Sequence, residues 1–346
     1  MRAARSTILW AFCGLQAVPT AIGFLAPCPR LSSTRCVRQA SALSMSADSP
    51  GVDRHTLVKG FAAGLLGTAV VAGAGTSFDV ATGVDTAASA AEIGSSQSPV
   101  AVVGAGGKTG KLAVEALLRR GKTVRAVTRT GEFSMAQDTE GYLSKAAGDV
   151  TKTDTLKQAL AGCGAVLFCA SASKKGGNAE AVDYLGVLNT AQACIELGVP
   201  KLVVVSSGAV TKPDSLGFKV TNIFGNIMTL KRKGELGLEE MYASAPKGVT
   251  YTIVRPGGLT DGPVIGPKGI ELNQGDTIGG TVNRADVAEI VVEAALSPAT
   301  GNTLFEVYDK SSGGPLQGGL PKVSGYERSA DSYPAIFEGL QKGIGM

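Results

Sequence analysis

The sequence predicts an α/β fold: one domain on a doubly wound parallel sheet. Three observations carry that prediction. Short apolar runs alternate with helical periodicities from about residue 100 to about residue 307. A glycine-rich turn, Gly104-Ala105-Gly106-Gly107-Lys108-Thr109-Gly110, stands between the first run and the first helical segment. No repeat of 20–50 residues is visible, which argues against a solenoid or propeller. Strands that alternate with helices on this scale form a parallel sheet covered on both faces.

The elements follow in order. Val100–Val103 is wholly apolar and bounded by Ser-Pro and Gly, as a strand buried on both faces should be. The helix expected over Gly107–Arg120 has apolar positions at Leu112, Ala113, Ala116 and Leu117, with Gly121 behind it as a stop. Thr123–Thr128 is the second strand, Thr153–Leu160 a helix, and Ala165–Cys169 the third apolar run. A long helix over Ala179–Leu197 leads to a strand at Lys201–Val205. Then come a helix at Glu235–Ala243, a strand at Tyr251–Val254, a helix at Arg284–Leu296 and a last strand at Thr303–Val307. The domain is placed at residues 98–309, with 310–346 as a Gly/Pro-rich tail that either packs over it or meets a partner.

The first 97 residues read as an address. Residues 1–23 have a charged start and an uncharged, largely apolar run, the pattern of a signal peptide. Residues 24–55 are rich in Arg and Ser and poor in acid, the composition of a transit peptide. Together they resemble the two-part presequence of secondary plastids, so a plastid location is expected. Residues 56–97 contain a second apolar run and a linker; the run, over 56–78, is a thylakoid-transfer signal, a weak membrane anchor or a spacer.

Composition excludes several chemistries. Of 346 residues, 33 are basic and 29 acidic, but five of the Arg lie in residues 1–47, where there is no acid. The remainder holds 28 basic residues against all 29 acidic ones, so no nucleic-acid partner is expected. The one His is His55, ahead of the folded region. A Ser-His-Asp triad, a Cys-His pair and a multi-His metal site are therefore excluded, and no metal is expected.

What remains is a dinucleotide site. In the Gly-x-x-Gly-x-x-Gly turn, Gly104 allows the tight bend, Gly107 lets backbone approach a pyrophosphate, and Gly110 permits close helix–strand packing. Lys108 and Thr109 lie at the helix start, where free N–H groups favour an anion. An NAD site needs an acid at the end of the second strand. Arg129 stands there, and a guanidinium can pair with the 2′-phosphate of NADP(H). Asp149, in Gly148-Asp149-Val150, is either an acceptor for the adenine amino group or a turn residue. Ala170 and Ser171 are small residues at a strand end, where backbone can pass the cofactor ribose.

These motifs, with Val182-Asp183-Tyr184-x-Gly186-x-x-Asn189, Val203-Val204-Val205-Ser206-Ser207, Lys231-Arg232-Lys233-Gly234-Glu235, Tyr251 to Leu259 and Arg284-Ala285-Asp286-Val287-Ala288, resemble the atypical short-chain dehydrogenase/reductase family. The closest likeness is to its NAD(P)-binding, NmrA-like branch, which includes the dehydrogenase-like subunit of the plastid inner-envelope translocon. The resemblance spans roughly residues 99–309. It implies a Rossmann-like sheet, with cofactor contacts from the glycine turn, Arg129, Asp149, Ala170 and the backbone of Pro256, Gly257 and Gly258. It also implies that Ser206 or Ser207 faces the nicotinamide and that Lys231 hydrogen-bonds its ribose.

The chemistry is less complete than the binding site. A reductase of this superfamily protonates its substrate from a Tyr four residues before a Lys. Lys231 is preceded there by Ile227, and Lys233 by Thr229. Two readings stay open. One is an NADPH-dependent reductase of a small metabolite, quinone, flavin or pigment precursor, with Ser207 and Lys231 as its catalytic groups. The other is an NADP(H)-sensing module attached to a membrane or protein complex.

Overall fold

The computed structural model describes residues 91–136, 139–172, 178–223, 225–316 and 328–343. The readings of residues 1–23, 24–55 and 56–78 lie outside the described residues. Among the described residues, no helix is long and apolar enough to cross a membrane.

The chain forms β1 (Val100–Val103), α1 (Lys108–Arg119), β2 (Val124–Thr128), β3 (Leu143–Ala147), α2 (Thr153–Leu160) and β4 (Ala165–Phe168). A single π-helical turn, Glu180–Tyr184, runs into α3 (Leu185–Leu197), followed by β5 (Lys201–Val205), α4 (Leu216–Asn222) and α5 (Ile227–Ala243). Next are β6 (Thr250–Pro256), β7 (Gly258–Thr260), β8 (Ile270–Asn273), β9 (Ile278–Gly279) and β10 (Thr281–Asn283). The remainder is α6 (Arg284–Leu296), β11 (Thr303–Asp309), β12 (Gly314–Pro315) and α7 (Tyr333–Phe337).

Eight strands make one sheet in the order β3-β2-β1-β4-β5-β6-β11-β8. Every pairing in it is parallel except β11 with β8. This is the doubly wound parallel arrangement the sequence predicts. The direction of winding reverses between β1 and β4, and in such sheets ligands bind at the carboxyl ends of the strands beside that reversal.

Alternation along the strands feeds two apolar layers. Val100 and Val102 face α1 and α6 with Leu117, Val287 and Val291. Ala101 and Val103 face the other side with Leu156, Ala191 and Leu238. Neither layer leaves room for polar side chains along the middle of β1, so chemistry is confined to the strand ends.

The structure adds elements that the sequence did not predict, among them β3, α4 and β8, and differs from the expectation at others. β3 was not anticipated, because Leu-Ser-Lys-Ala-Ala at a sheet edge is exposed or half-buried throughout and carries no apolar run. α5 begins at Ile227, two turns before Glu235, and so takes in Lys231-Arg232-Lys233; that charge run and Gly234 mask its periodicity. The long helix opens with the π turn instead of a regular α turn. In the stretch beyond residue 309, Arg328 pairs with Leu272, and Ile336 and Phe337 are buried. Phe337 lies with its ring centroid 5.9 Å from that of Phe305.

Candidate functional site

The glycine turn leaves the end of β1 and enters α1. Gly104 sits at φ +82°, a left-handed backbone that suits glycine, and a Cβ there would lie 2.8 Å from the Ala170 backbone N. A Cβ on Gly110 would overlap the Gly104 carbonyl. Turn, α1 and the β4 end therefore meet at backbone contact. Gly107 precedes α1, and no side chain caps the helix or places an acid in its first turn. The first N–H groups of α1, beginning at Lys108 and Thr109, are thus left to an anion.

Arg129 is exposed just past β2 and has no ion-pair partner among the described residues. Asp149 follows β3. It accepts from the Thr151 N–H at 3.0 Å and the Thr151 hydroxyl at 2.8 Å, and Val150 behind it is buried. Those two hydrogen bonds, helped by Lys152 and Arg129, hold the Asp149 carboxyl below its usual range. One of its oxygens is thus engaged in a local turn.

The Lys231 side of the site is assembled from distant segments. The Asp183 side chain is fully buried on the π turn. Its Oδ1 accepts from the Ser171 hydroxyl at 2.7 Å and pairs with Lys231 Nζ at 2.9 Å. Its Oδ2 accepts from the Ala172 N–H at 2.8 Å. Lys231 reaches it because α5 packs closely on the π turn: a Cβ on Gly234 would stand 2.7 Å from the Asp183 carbonyl oxygen. Ser171 stands out as a small residue at a strand end and Lys231 through the family resemblance; Asp183 joins them. Its only advance signal was its place in Val182-Asp183-Tyr184.

At the end of β5, the Ser206 N–H donates to the Val254 carbonyl at 2.8 Å, and the Gly208 N–H donates to that of Pro256 at 2.7 Å. Ser206 is 8% exposed, and its hydroxyl has no hydrogen-bond partner among the described residues. Ser207 is half-buried, with its hydroxyl 3.2 Å from the Gly208 carbonyl oxygen. Gly257 lies between β6 and β7, and a Cβ on it would overlap the Gly280 carbonyl, while Gly258 is exposed.

A buried charge network that sequence reasoning missed underlies this end. Arg255, on β6, is 0% exposed. It grips Glu235 of α5 at 3.0 and 2.7 Å and Glu306 of β11 at 3.1 Å. Burial pushes the Glu306 carboxyl up to about 7, with Arg255 opposing the shift. Glu306 also accepts from the Asp276 N–H at 3.0 Å.

Across the glycine turn, Lys108 pairs with Asp261 at 3.0 Å and Arg284 with the same carboxylate at 2.5 Å. These partners hold Asp261 below its usual range, Lys108 most strongly. Asp286, in the first turn of α6, turns to the N–H groups of Ile265 and Gly266, both at 2.9 Å. The three domain cysteines are free, and burial pushes Cys163 up to about 11 and Cys169 up to about 12, so neither is poised as a nucleophile.

The turn, the uncapped helix start and the orphaned Ser206 hydroxyl at neighbouring strand ends suit a dinucleotide. Comparison with known proteins agrees. A family model described as NAD(P)H-binding matches residues 104–298, more than half the chain. An uncharacterized chloroplastic protein of Arabidopsis thaliana is 32% identical over 222 residues, covering 60% of this chain and 75% of the relative. Protein TIC 62, chloroplastic, also of Arabidopsis thaliana, is 30% identical, but the match spans only 34% of its length against 58% of this chain. Sanguinarine reductase of Eschscholzia californica is 28% identical over 62% of this chain and 90% of its own. An oxidoreductase from Lactococcus lactis has the same fold, with TM-score 0.51 at 18% identity, over 61% of this chain and 90% of that one. The chain belongs to the NAD(P)H-binding family of Rossmann-like, atypical short-chain dehydrogenases/reductases.

Proposed function

We propose that the chain is an NADPH-dependent reductase of a plastid, acting on a small metabolite, quinone, flavin or pigment precursor. The observation that carries this reading is the prebuilt Ser171–Asp183–Lys231 cluster. It stands at the end of β4, beside the glycine turn, with the unpartnered Ser206 hydroxyl at the next strand end.

NADPH supplies the hydride. The residues do the rest. The glycine turn and the start of α1 hold the pyrophosphate, and Ala170 keeps the floor of the site low. Arg129, exposed and unpaired among the described residues, takes the 2′-phosphate through two parallel N–H donors. Asp149 presents its remaining carboxylate oxygen to the adenine edge. The backbone of Pro256, Gly257 and Gly258 borders the nicotinamide. Lys231 gives one N–H to Asp183 and keeps two for the nicotinamide ribose and the acceptor oxygen. Ser207 donates to that same oxygen as charge develops on it. Tyr242 is no proton donor: its hydroxyl is buried, burial pushes it far up, and its ring stacks edge-on to Tyr251. The proton comes from water.

Two names support the class, since one relative is a sanguinarine reductase and another a divinyl chlorophyllide a 8-vinyl-reductase. Chloroplastic relatives support the plastid. The absent Tyr favours the second reading, an NADP(H)-responsive module on a membrane or protein complex, and the likeness to Protein TIC 62, chloroplastic fits it. Stopped-flow oxidation of NADPH against quinones, flavins and enals tests the proposal. Saturable turnover, lost in Ser207→Ala, is the expected result. Tight NADPH binding with no turnover on any acceptor sinks it in favour of the binding module.

A further inference from the structure

We infer that Asp276 is a positioning residue for Ser207, and through it for the nicotinamide end of the site; this rests on the reading that Ser207 faces the nicotinamide.

Asp276 is 0% exposed and lies far from Ser207 in sequence. Its Oδ1 accepts from the Ala209 N–H at 2.6 Å. Its Oδ2 accepts from the Thr211 N–H and the Thr211 hydroxyl, both at 2.8 Å. One carboxylate thus holds three donors of the turn that begins at Ser207. The near side of that turn is fastened separately, by the Gly208 N–H on the Pro256 carbonyl. Ser207 lies at the head of the turn that these two anchors fix.

The backbone shows that this grip matters. Ala209 sits at φ +64° and Asp276 itself at φ +53°, left-handed conformations that are unfavourable for residues with a Cβ. A non-glycine residue persists there only when its surroundings over-determine it, and the three hydrogen bonds on Asp276 do so for Ala209. The carboxylate is itself braced, since the Asp276 N–H donates to Glu306, and Glu306 holds Arg255. Arg255 in turn grips Glu235, one helical turn along α5 from Lys231. The network therefore ties the Ser207 turn to the helix that carries Lys231.

The test separates positioning from plain stability by using two ligands on the full-length protein. Calorimetry is run with NADPH and with 2′,5′-ADP, which lacks the nicotinamide, alongside the emission of bound NADPH. In Asp276→Asn an amide N–H faces backbone donors and loses at least one of the three bonds. NADPH affinity is expected to fall about tenfold while 2′,5′-ADP affinity stays within about twofold. The bound-NADPH emission should move toward that of the free cofactor. Thr211→Val keeps the carboxylate and removes only the hydroxyl bond. It should show the same split at about threefold, and it decides the matter if Asp276→Asn folds poorly. Equal losses for both ligands, or no loss for either in a folded variant, overturn the inference and leave the cofactor reading intact. Failure of the unmodified protein to bind NADPH overturns both.

Discussion

The glycine-turn side of the site is made of backbone, whereas the Lys231 side is made of buried charge. From Gly104 to Gly110 the work is done by absent side chains, and Arg129 stands in solvent with no hydrogen bond or ion pair among the described residues. On the other side Asp183, Glu235, Arg255, Asp276 and Glu306 are all buried, and each is engaged by partners on another element. A helix start with open N–H groups binds a phosphate without further preparation. A hydride acceptor needs donors fixed at one point, and a protein fixes them by networks that fail when one member is removed. The difference predicts where the molecule is fragile.

The largest effect should come from Arg255→Leu, which leaves Glu235 and Glu306 buried without their cation. Urea unfolding should show a loss of about 3–5 kcal/mol. The triple replacement of Arg255, Glu235 and Glu306 by Leu should recover much of it, because buried ion groups are often no more stable than apolar residues of similar size. A single-variant loss under about 1 kcal/mol would erase the contrast between the two sides. Next is Asp183→Ala, which strands Lys231 at 12% side-chain exposure and frees the Ser171 hydroxyl and the Ala172 N–H. A loss of about 3 kcal/mol is expected. Adding Lys231→Met should return part of it, and strictly additive losses would mean the pair is not coupled.

Legibility follows the same division. The alternation of strands and helices, the glycine turn and its dinucleotide chemistry are written in consecutive residues, because a tight turn demands Gly wherever backbone meets backbone. Asp183 and Asp276 gave no such signal. A buried acid is recognised by what it touches, and Asp276 touches Ala209 and Thr211 more than sixty positions away. Lys231 ends no Tyr-x-x-x-Lys pair; what holds it is Asp183 on the π turn, 48 positions earlier and separated from α5 by two helices and a strand. β3 and the start of α5 were lost because edge exposure and a charge run erase the apolar period that reveals an element.

On the glycine-turn side, the strongest effect is steric. Gly110→Ala sets a methyl on the Gly104 carbonyl oxygen, and backbone cannot yield as a flexible side chain does. About 2 kcal/mol of stability should be lost. NADPH and 2′,5′-ADP should weaken together, because the 5′-phosphate that both carry lies against the turn. A variant that loses NADPH alone would mean the turn does not hold the shared half of the ligand.

The smallest effect on the fold, and the sharpest on specificity, belongs to Arg129. It is exposed and engages no partner among the described residues, so its removal strands no charge. Arg129→Ala should leave stability within about 0.5 kcal/mol. If its guanidinium meets the 2′-phosphate, NADPH affinity falls about tenfold, or about 1.4 kcal/mol, and NADH affinity does not change. The interaction lies in solvent, so the gap between the two cofactors should narrow as salt rises toward 1 M, where the screening length is about 3 Å. It should also narrow with acid. A phosphate monoester has its second pKa at about 6, and below that the group loses half of its charge. NADPH preference should therefore be greatest above pH 7 and weaken as pH falls through that value. Equal loss of NADPH and NADH in Arg129→Ala would place the arginine elsewhere on the ligand, and the glycine-turn side would then read phosphate without telling one dinucleotide from the other.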